Sequence, residues 1–345
     1  MNDSRILRRA LVAGLAMLAL ILDSKTAFSG ASEGISICLQ AVIPSLFPFF
    51  FLSSILTGNL QGHIHPVFKP LNTLLGIPCG AESIWLTGIL GGYPVGARCV
   101  SQAYQNGRLS RNEAGRMLGF CSNAGPAFVF GMTASCFPSL LYPCLLLLIQ
   151  IISSLMTGIL LPGKQYSKPY LAEKRLVTWH EAMHHAVQAM GNVCGWIILF
   201  RVILSFCERW FLWLLPSSLQ VFLIGILELS NGILSLHRIN SVPLRWILCS
   251  GMLSFGGICV IMQTQSVTGG LPILYYLRGK ILQSLISTGL SAAFCCFLFS
   301  FDKVYLAVFA ACFLSILLVH RLIHKKTVAL SSHLMYNTRK KIDAR

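Results

Sequence analysis

The sequence CSNAGPAFVFG, residues 121–131, places Ser122, Asn123, Gly125 and Pro126 inside an otherwise apolar run. In a soluble protein such a cluster of turn formers marks a loop. Here Gly119–Phe120 before it and Ala127–Phe130 after it read as membrane helix. GGYPVGARC, residues 91–99, poses the same contradiction upstream.

Composition sets the class. Of the 345 residues, 55% are hydrophobic and only 11% charged, where a soluble domain carries about 25% charged residues. Long runs nearly free of charge follow one another from Ala10 to Leu318, which is the pattern of a polytopic membrane protein. The formal charge of +16 is gathered at the N-terminus (Arg5, Arg8, Arg9), in a central loop (Lys164, Lys168, Lys174, Arg175) and in the tail from Arg321 onward. Such placement follows from membrane orientation. It lacks the aromatic interleaving of a nucleic-acid surface, so no nucleic acid is expected as a partner. The 13 cysteines form no CxxC pair. They read as small packing residues inside helices, with neither a metal nor a cofactor implied.

Crossings are predicted near 6–22, 36–60, 115–134, 138–161, 183–206, 244–263, 281–300 and 304–322. Each is close to the ~20 residues that span the hydrocarbon. The segments 81–100 and 218–236 are interrupted by Gly, Pro, Asn or Ser and contain Glu82 and Glu228. Reading both as re-entrant hairpins keeps Lys69, Arg98, Arg108, Arg111, Arg116, the 162–178 loop and the tail on the side of the N-terminal arginines. Both termini are then cytoplasmic and the protein is a multi-pass protein of the cell membrane. The loop with Asp23, Lys25 and Glu33 falls outside, while Arg278 and Lys280 mark the cytoplasmic end of the seventh helix.

The two hairpins expose an internal repeat. PSLFPFFFLSSIL is followed by a hairpin with GGYPVGA and a helix broken at CSNAGP; GNVCGWIILF is followed by a hairpin with LELSNG and a helix containing FGGICVIMQTQS. Under this topology the halves have opposite orientation. Inverted repeats with interrupted segments at matching positions point to a transporter-type site at the bilayer midplane. The predicted fold is therefore an all-α polytopic membrane protein of about eight transmembrane helices plus two re-entrant hairpins. Its parts are an anchor helix (1–35), a first repeat (36–161), a basic loop (162–182), a second repeat (183–322) and a basic tail (323–345). Backbone groups freed by helix breaks at membrane depth must be satisfied by protein or by a polar cavity. The candidate substrate-binding residues are accordingly Gly92, Tyr93, Pro94, Ser122, Asn123, Gly125, Pro126, Glu228, Asn231, Gln263 and Gln265.

PSLFPFF (44–50), GGYPVGA (91–97), the run from Asn106 to Gly131, LELSNG (227–232) and FGGICVIMQTQS (255–266) resemble YlbJ-type sporulation integral membrane proteins, which carry the nucleoside-recognition or Gate domain. The resemblance covers roughly residues 35–320. It implies a multi-pass inner-membrane protein associated with spore cortex formation, acting on a small polar solute, nucleoside-like or anionic, by alternating access. A non-transporting scaffold for cortex assembly is the alternative, with a second copy of the chain or other sporulation membrane proteins as partners. Arg201, inside WIILFRVIL, departs from the family pattern. It must find a carboxylate, with Glu228 or Glu208 as the candidate, or snorkel, and an added buried cation there favours an anionic solute.

One motif belongs to another class. HEAMH, residues 180–184, fits H-E-x-x-H, in which His180 and His184 could share a zinc with Glu181 as base. A catalytic zinc needs a third ligand, and the later aspartates are Asp302 at a helix boundary and Asp343 in the tail. The sequence reads more simply as the interfacial start of a helix, and no enzyme is expected.

Overall fold

A computed structural model describes residues 3–60, 68–163, 177–299, 307–316 and 318. Among them every regular element is helical and no strand occurs. Four helical stretches are long and apolar enough to cross a membrane: Ser24–Leu56, Leu141–Leu160, Trp179–Trp210 and Val242–Val267. The basic tail, most of the basic loop and much of the span predicted at 304–322 lie outside the described residues; within that span Ala307–Ile316 is an apolar helix.

Helix α1 (Asp3–Leu22) leads directly into α2 (Ser24–Ile37), whose first turn is capped by the Asp23 carboxylate accepting from Thr26 N at 3.3 Å. A single π turn at Cys38–Val42 joins α2 to α3 (Ile43–Leu60). The stretch around Glu33, predicted as an external loop, is therefore helix, and it packs along α10 (Trp179–Trp210). Its small residues explain the contact: a β-carbon on Gly30 or Gly34 would run into α10. Helix also continues through the expected boundary at 35/36.

The interrupted segments are built as follows. After α4 (Lys69–Leu75), α5 (Glu82–Gly91) and α6 (Val95–Gln105) fold back on each other, with Gly88 against Gly96. Gly92 makes the reversal at φ 74°, a left-handed value open to glycine. The crossing predicted at 115–134 is divided into α7 (Arg111–Leu118) and α8 (Pro126–Thr133), with non-helical chain between them. A Ser110/Glu113 capping box starts α7, and Pro126 opens α8, where its missing N–H costs nothing. Helix α9 (Leu141–Leu160) completes the first series.

The second series has the same order of elements. Long α10 spans 32 residues, about 48 Å. It is followed by α11 (Ser217–Leu227) and α12 (Leu229–Ser235), folded back with Gly225 against Gly232. Next come α13 (Val242–Phe255) and α14 (Gly257–Val267), broken at Gly256 with φ 83°. Helix α15 (Ile273–Phe299) closes the series and packs on both α9 and α13. The buried core runs through the junction of the two series, from Trp85 and Phe120 to Trp246 and Tyr276.

Candidate functional site

The four breaks converge. The Gly92 turn lies against Gly125 of the α7–α8 break, Gly256 lies against the Tyr93 ring, and Gly257 lies against the end of α11. Between them is an internal cavity of about 40 Å³. It is lined by Gly92, Tyr93, Gly125, Phe128, Glu228 and Gln263, with Leu46, Phe49 and Phe50 of α3 and Val193 and Ile197 of α10 closing it. Since one water needs ~10–15 Å³ by this measure, the space holds a few waters or a very small solute. A larger groove of about 330 Å³ between α11, α13 and α15 has a mostly apolar lining, from Phe222 to Cys312, with no charged side chain among the described residues. It offers nothing to orient a polar molecule.

Glu228 is the one charged residue in the cavity lining. It ends α11 and begins α12, and its carboxylate accepts from Ser230 N (3.0 Å), Asn231 N (2.6 Å) and Asn231 Nδ2 (2.7 Å). The two backbone N–H groups are donors that a helix start leaves free, so the break exposes them and the glutamate accepts from them. Gln263, on α14, donates to Cys259 Sγ at 3.4 Å and borders the same space.

At the α7–α8 and α13–α14 breaks, freed carbonyls are satisfied by side chains. Phe120 O, at the end of α7, accepts from Asn123 Nδ2 at 2.9 Å and from Ser154 Oγ of α9 at 2.8 Å. Trp85 Nε1 donates to Ser154 Oγ at 2.9 Å. Leu253 O, at the end of α13, accepts from Gln150 Nε2 and from the Tyr93 hydroxyl, both at 3.1 Å. Ser254 Oγ in turn donates to Gln150 Oε1 at 2.7 Å. No lipid could supply these partners.

Sequence reasoning missed the centre of this network. Lys280, predicted to mark a helix end, has 0% exposure. Its ammonium donates to Gln283 Oε1 at 2.7 Å and to Asn123 Oδ1 at 3.3 Å, and lies over the rings of Tyr93 (5.1 Å to the centroid) and Tyr276 (5.7 Å). Gln283 Nε2 donates to Asn123 Oδ1 at 2.8 Å. The Asn123 side-chain oxygen therefore faces α15.

The remaining predicted residues fall in several places. Pro94 is buried at the start of α6 and Pro126 is the first residue of α8. Ser122 is buried, with no hydrogen-bond partner for its hydroxyl among the described residues. Asn231 is buried and holds Glu228. Gln265 is exposed on α14 and absent from the cavity lining. Arg201 does not meet Glu228: it pairs with Glu33 of α2 and, at 2.8 Å, with Glu208. Arg116, assigned to a cytoplasmic loop, is buried, donating to the carbonyls of Leu161, Gly76 and Gly158. In HEAMH, Glu181 closes a capping box with Thr178, and His180 and His184 are exposed. Among the described residues no three His, Cys, Asp or Glu side chains gather as a metal site.

Apolar helices long enough to cross a bilayer, surrounding broken ones whose backbone is satisfied internally, define an all-α polytopic membrane protein. Its sequence is 25% identical over 312 residues to the sporulation integral membrane protein YlbJ of Bacillus subtilis (strain 168), an alignment covering 77% of this chain and 76% of the relative. That likeness supports a YlbJ-type family assignment. No protein-family model matches the chain, and no solved structure matches it.

Proposed function

We propose that the protein binds and moves a small polar solute through the cavity at the four breaks, acting in sporulation and in the formation of the spore cortex. Convergence of all four interruptions on one partly polar cavity carries this reading, because breaks needed only for packing have no reason to meet. The two series of elements are read as inverted repeats that rock about the cavity, with both termini cytoplasmic. The anionic solute considered from Arg201 loses its support, since that guanidinium is held by Glu33 and Glu208. With Glu228 as the charge in the lining, a neutral or cationic solute with hydrogen-bond donors is favoured. The cavity is small, so occupation by anything larger than a few waters requires the breaks to part.

The test uses Val193→Phe, which fills the cavity from α10 and leaves every break unaltered, beside Glu228→Gln. Each is expressed at matched membrane abundance in a strain lacking the protein, and cortex formation is scored. Loss with both supports the working cavity. Full restoration by Val193→Phe removes the carrier reading and leaves the scaffold.

A further inference from the structure

A second opening lies beside the central cavity, between α3, α6 and α10. It measures about 140 Å³, against about 40 Å³ for the cavity, and Phe50 lines both. With ~10–15 Å³ needed for one water, it has room for a polyatomic ion and several waters. Its polar lining is Arg98 and Gln102 of α6, Ser53 and Ser54 of α3, and His185 of α10. No carboxylate lines it among the described residues. Glu181, one turn before His185, is held in the Thr178 capping box.

Arg98 sets the chemistry of this groove. Arg116, Arg201 and Arg245, also buried or half-buried, are each committed to backbone carbonyls or to carboxylates. Arg98 is half-buried, and no hydrogen bond or ion pair holds its guanidinium among the described residues. A guanidinium keeps its charge throughout the physiological range and presents a planar fork of donors that matches an oxyanion. Gln102 follows one turn later on the same face of α6, placing an amide donor beside it. On the facing wall the His185 ring and the Ser54 hydroxyl meet at 3.4 Å, a long contact between two groups able to donate. The Ser53 hydroxyl donates to Phe50 O. Donors on two walls suit a group with oxygens on all sides, whereas a planar carboxylate is matched by the guanidinium alone. Val177, which also lines the groove, follows Lys174 and Arg175 in sequence, so two more cationic side chains are tethered within a few residues.

We propose that the groove binds a phosphate group, carried by a small solute or by a lipid headgroup, and that the bound group ties α6 to α3 and α10. Helix α6 is the second arm of the first hairpin, and it begins at the turn that lies against the α7–α8 break. A ligand held by Arg98 on one side and by His185 and Ser54 on the other opposes any movement of that arm. By reciprocity, whatever parts the arm from α3 and α10 weakens phosphate binding. The site is distinct from the solute cavity. Glu228 is absent from its lining, and its charge has the opposite sign. It does not depend on the carrier reading, and Val193, altered in the cavity-filling test, does not line it. The two tests therefore fail separately.

Hydrogen exchange of peptides covering 95–105 tests the proposal, in full-length protein held in maltoside micelles, which contain no phosphate. One arm adds inorganic phosphate and the other adds phosphatidylglycerol, with chloride keeping the ionic strength constant. Exchange in α6 should slow along a saturating curve, by about tenfold at ten times Kd, because the opening that exchanges α6 must release the ligand. Protection by inorganic phosphate assigns a free solute, and protection by phosphatidylglycerol alone assigns a headgroup. Arg98→Gln should abolish the protection. Arg98→Lys, which keeps the charge but loses the fork, should move the midpoint to higher concentration. Arg209→Gln, at an exposed arginine paired with Asp23, should leave the curve unchanged. No protection in either arm, or the same curve in Arg98→Gln, overturns the proposal. Where Arg98→Gln fails to fold, an unchanged midpoint in Arg98→Lys overturns it as well.

Discussion

Arg201 and Lys280 are both cations in long apolar helices, and the structure treats them in opposite ways. Arg201 retains 12% side-chain exposure and meets two carboxylates, one of which, Glu33, is 51% exposed. It is a peripheral ion pair that ties α2 to α10. Lys280 has no exposure and, among the described residues, no carboxylate partner, only neutral oxygens and rings. In sequence the arginine looks anomalous and the lysine looks like a boundary marker. What separates them is the supply of partners: a cation at the edge of the helices can recruit carboxylates from its own and a neighbouring helix, whereas one at the junction of broken helices is surrounded by amides that the breaks themselves require.

Substitutions can test that contrast. The largest effect is expected from Lys280→Glu, which sets an anion against Asn123 Oδ1 and Gln283 Oε1; a loss of about 3–5 kcal/mol follows from an uncompensated buried charge. Recovery of folded, monodisperse protein from detergent should fall sharply, and normal recovery would mean that the surroundings of Lys280 are not closed. Arg201→Gln should cost about 1 kcal/mol and less at high salt, because its partners are partly exposed. Denaturation in mixed micelles at two ionic strengths reads this, and an effect as large as that of Lys280→Glu would erase the distinction. Smallest is Tyr93→Phe, which removes the hydroxyl bond to Leu253 O but keeps the ring beneath the ammonium, for about 0.6 kcal/mol, the usual worth of a hydrogen bond between membrane helices. A much larger loss in the same assay would show that the carbonyl, not the cation, is what Tyr93 serves.

The class and the positions of the breaks were legible because they depend on local chemistry. Glycine and proline punctuate a helix wherever it lies, so GGYP, SNAGP and FGG each marked a real interruption; in LELSNG the break falls at Glu228 and Gly232 lies inside α12. Glu228 stood out for a related reason, as a carboxylate in an apolar run. Partnerships across the chain were not. Nothing near Asn123 indicates that α15 would supply Lys280 and Gln283 more than 150 residues later. A signal did exist. Lys280, Gln283, Ser287 and Ser291 recur at helical spacing along α15, and Gln150, Ser153, Ser154 and Thr157 do so along α9, all of them buried. A polar stripe inside an apolar helix marks an inward face, and in α15 it was obscured by the basic residues at its start. The helical course of residues 24–37 was missed because SKTAFSGASEG is polar and rich in small residues, and its helix depends on packing against α10.

The way the broken backbone is satisfied also sets an order for biosynthesis. Phe120 O finds its donors, Asn123 and Ser154, within the first 160 residues, so the first series can complete its own break as soon as α9 has been made. Leu253 O depends on Tyr93 and Gln150, which are synthesised long before it. The second series therefore emerges from the ribosome into a mould that already holds the donors its break requires. The reverse does not hold, so a circularly permuted chain that begins with α10 would expose Leu253 O to lipid until its other half arrived.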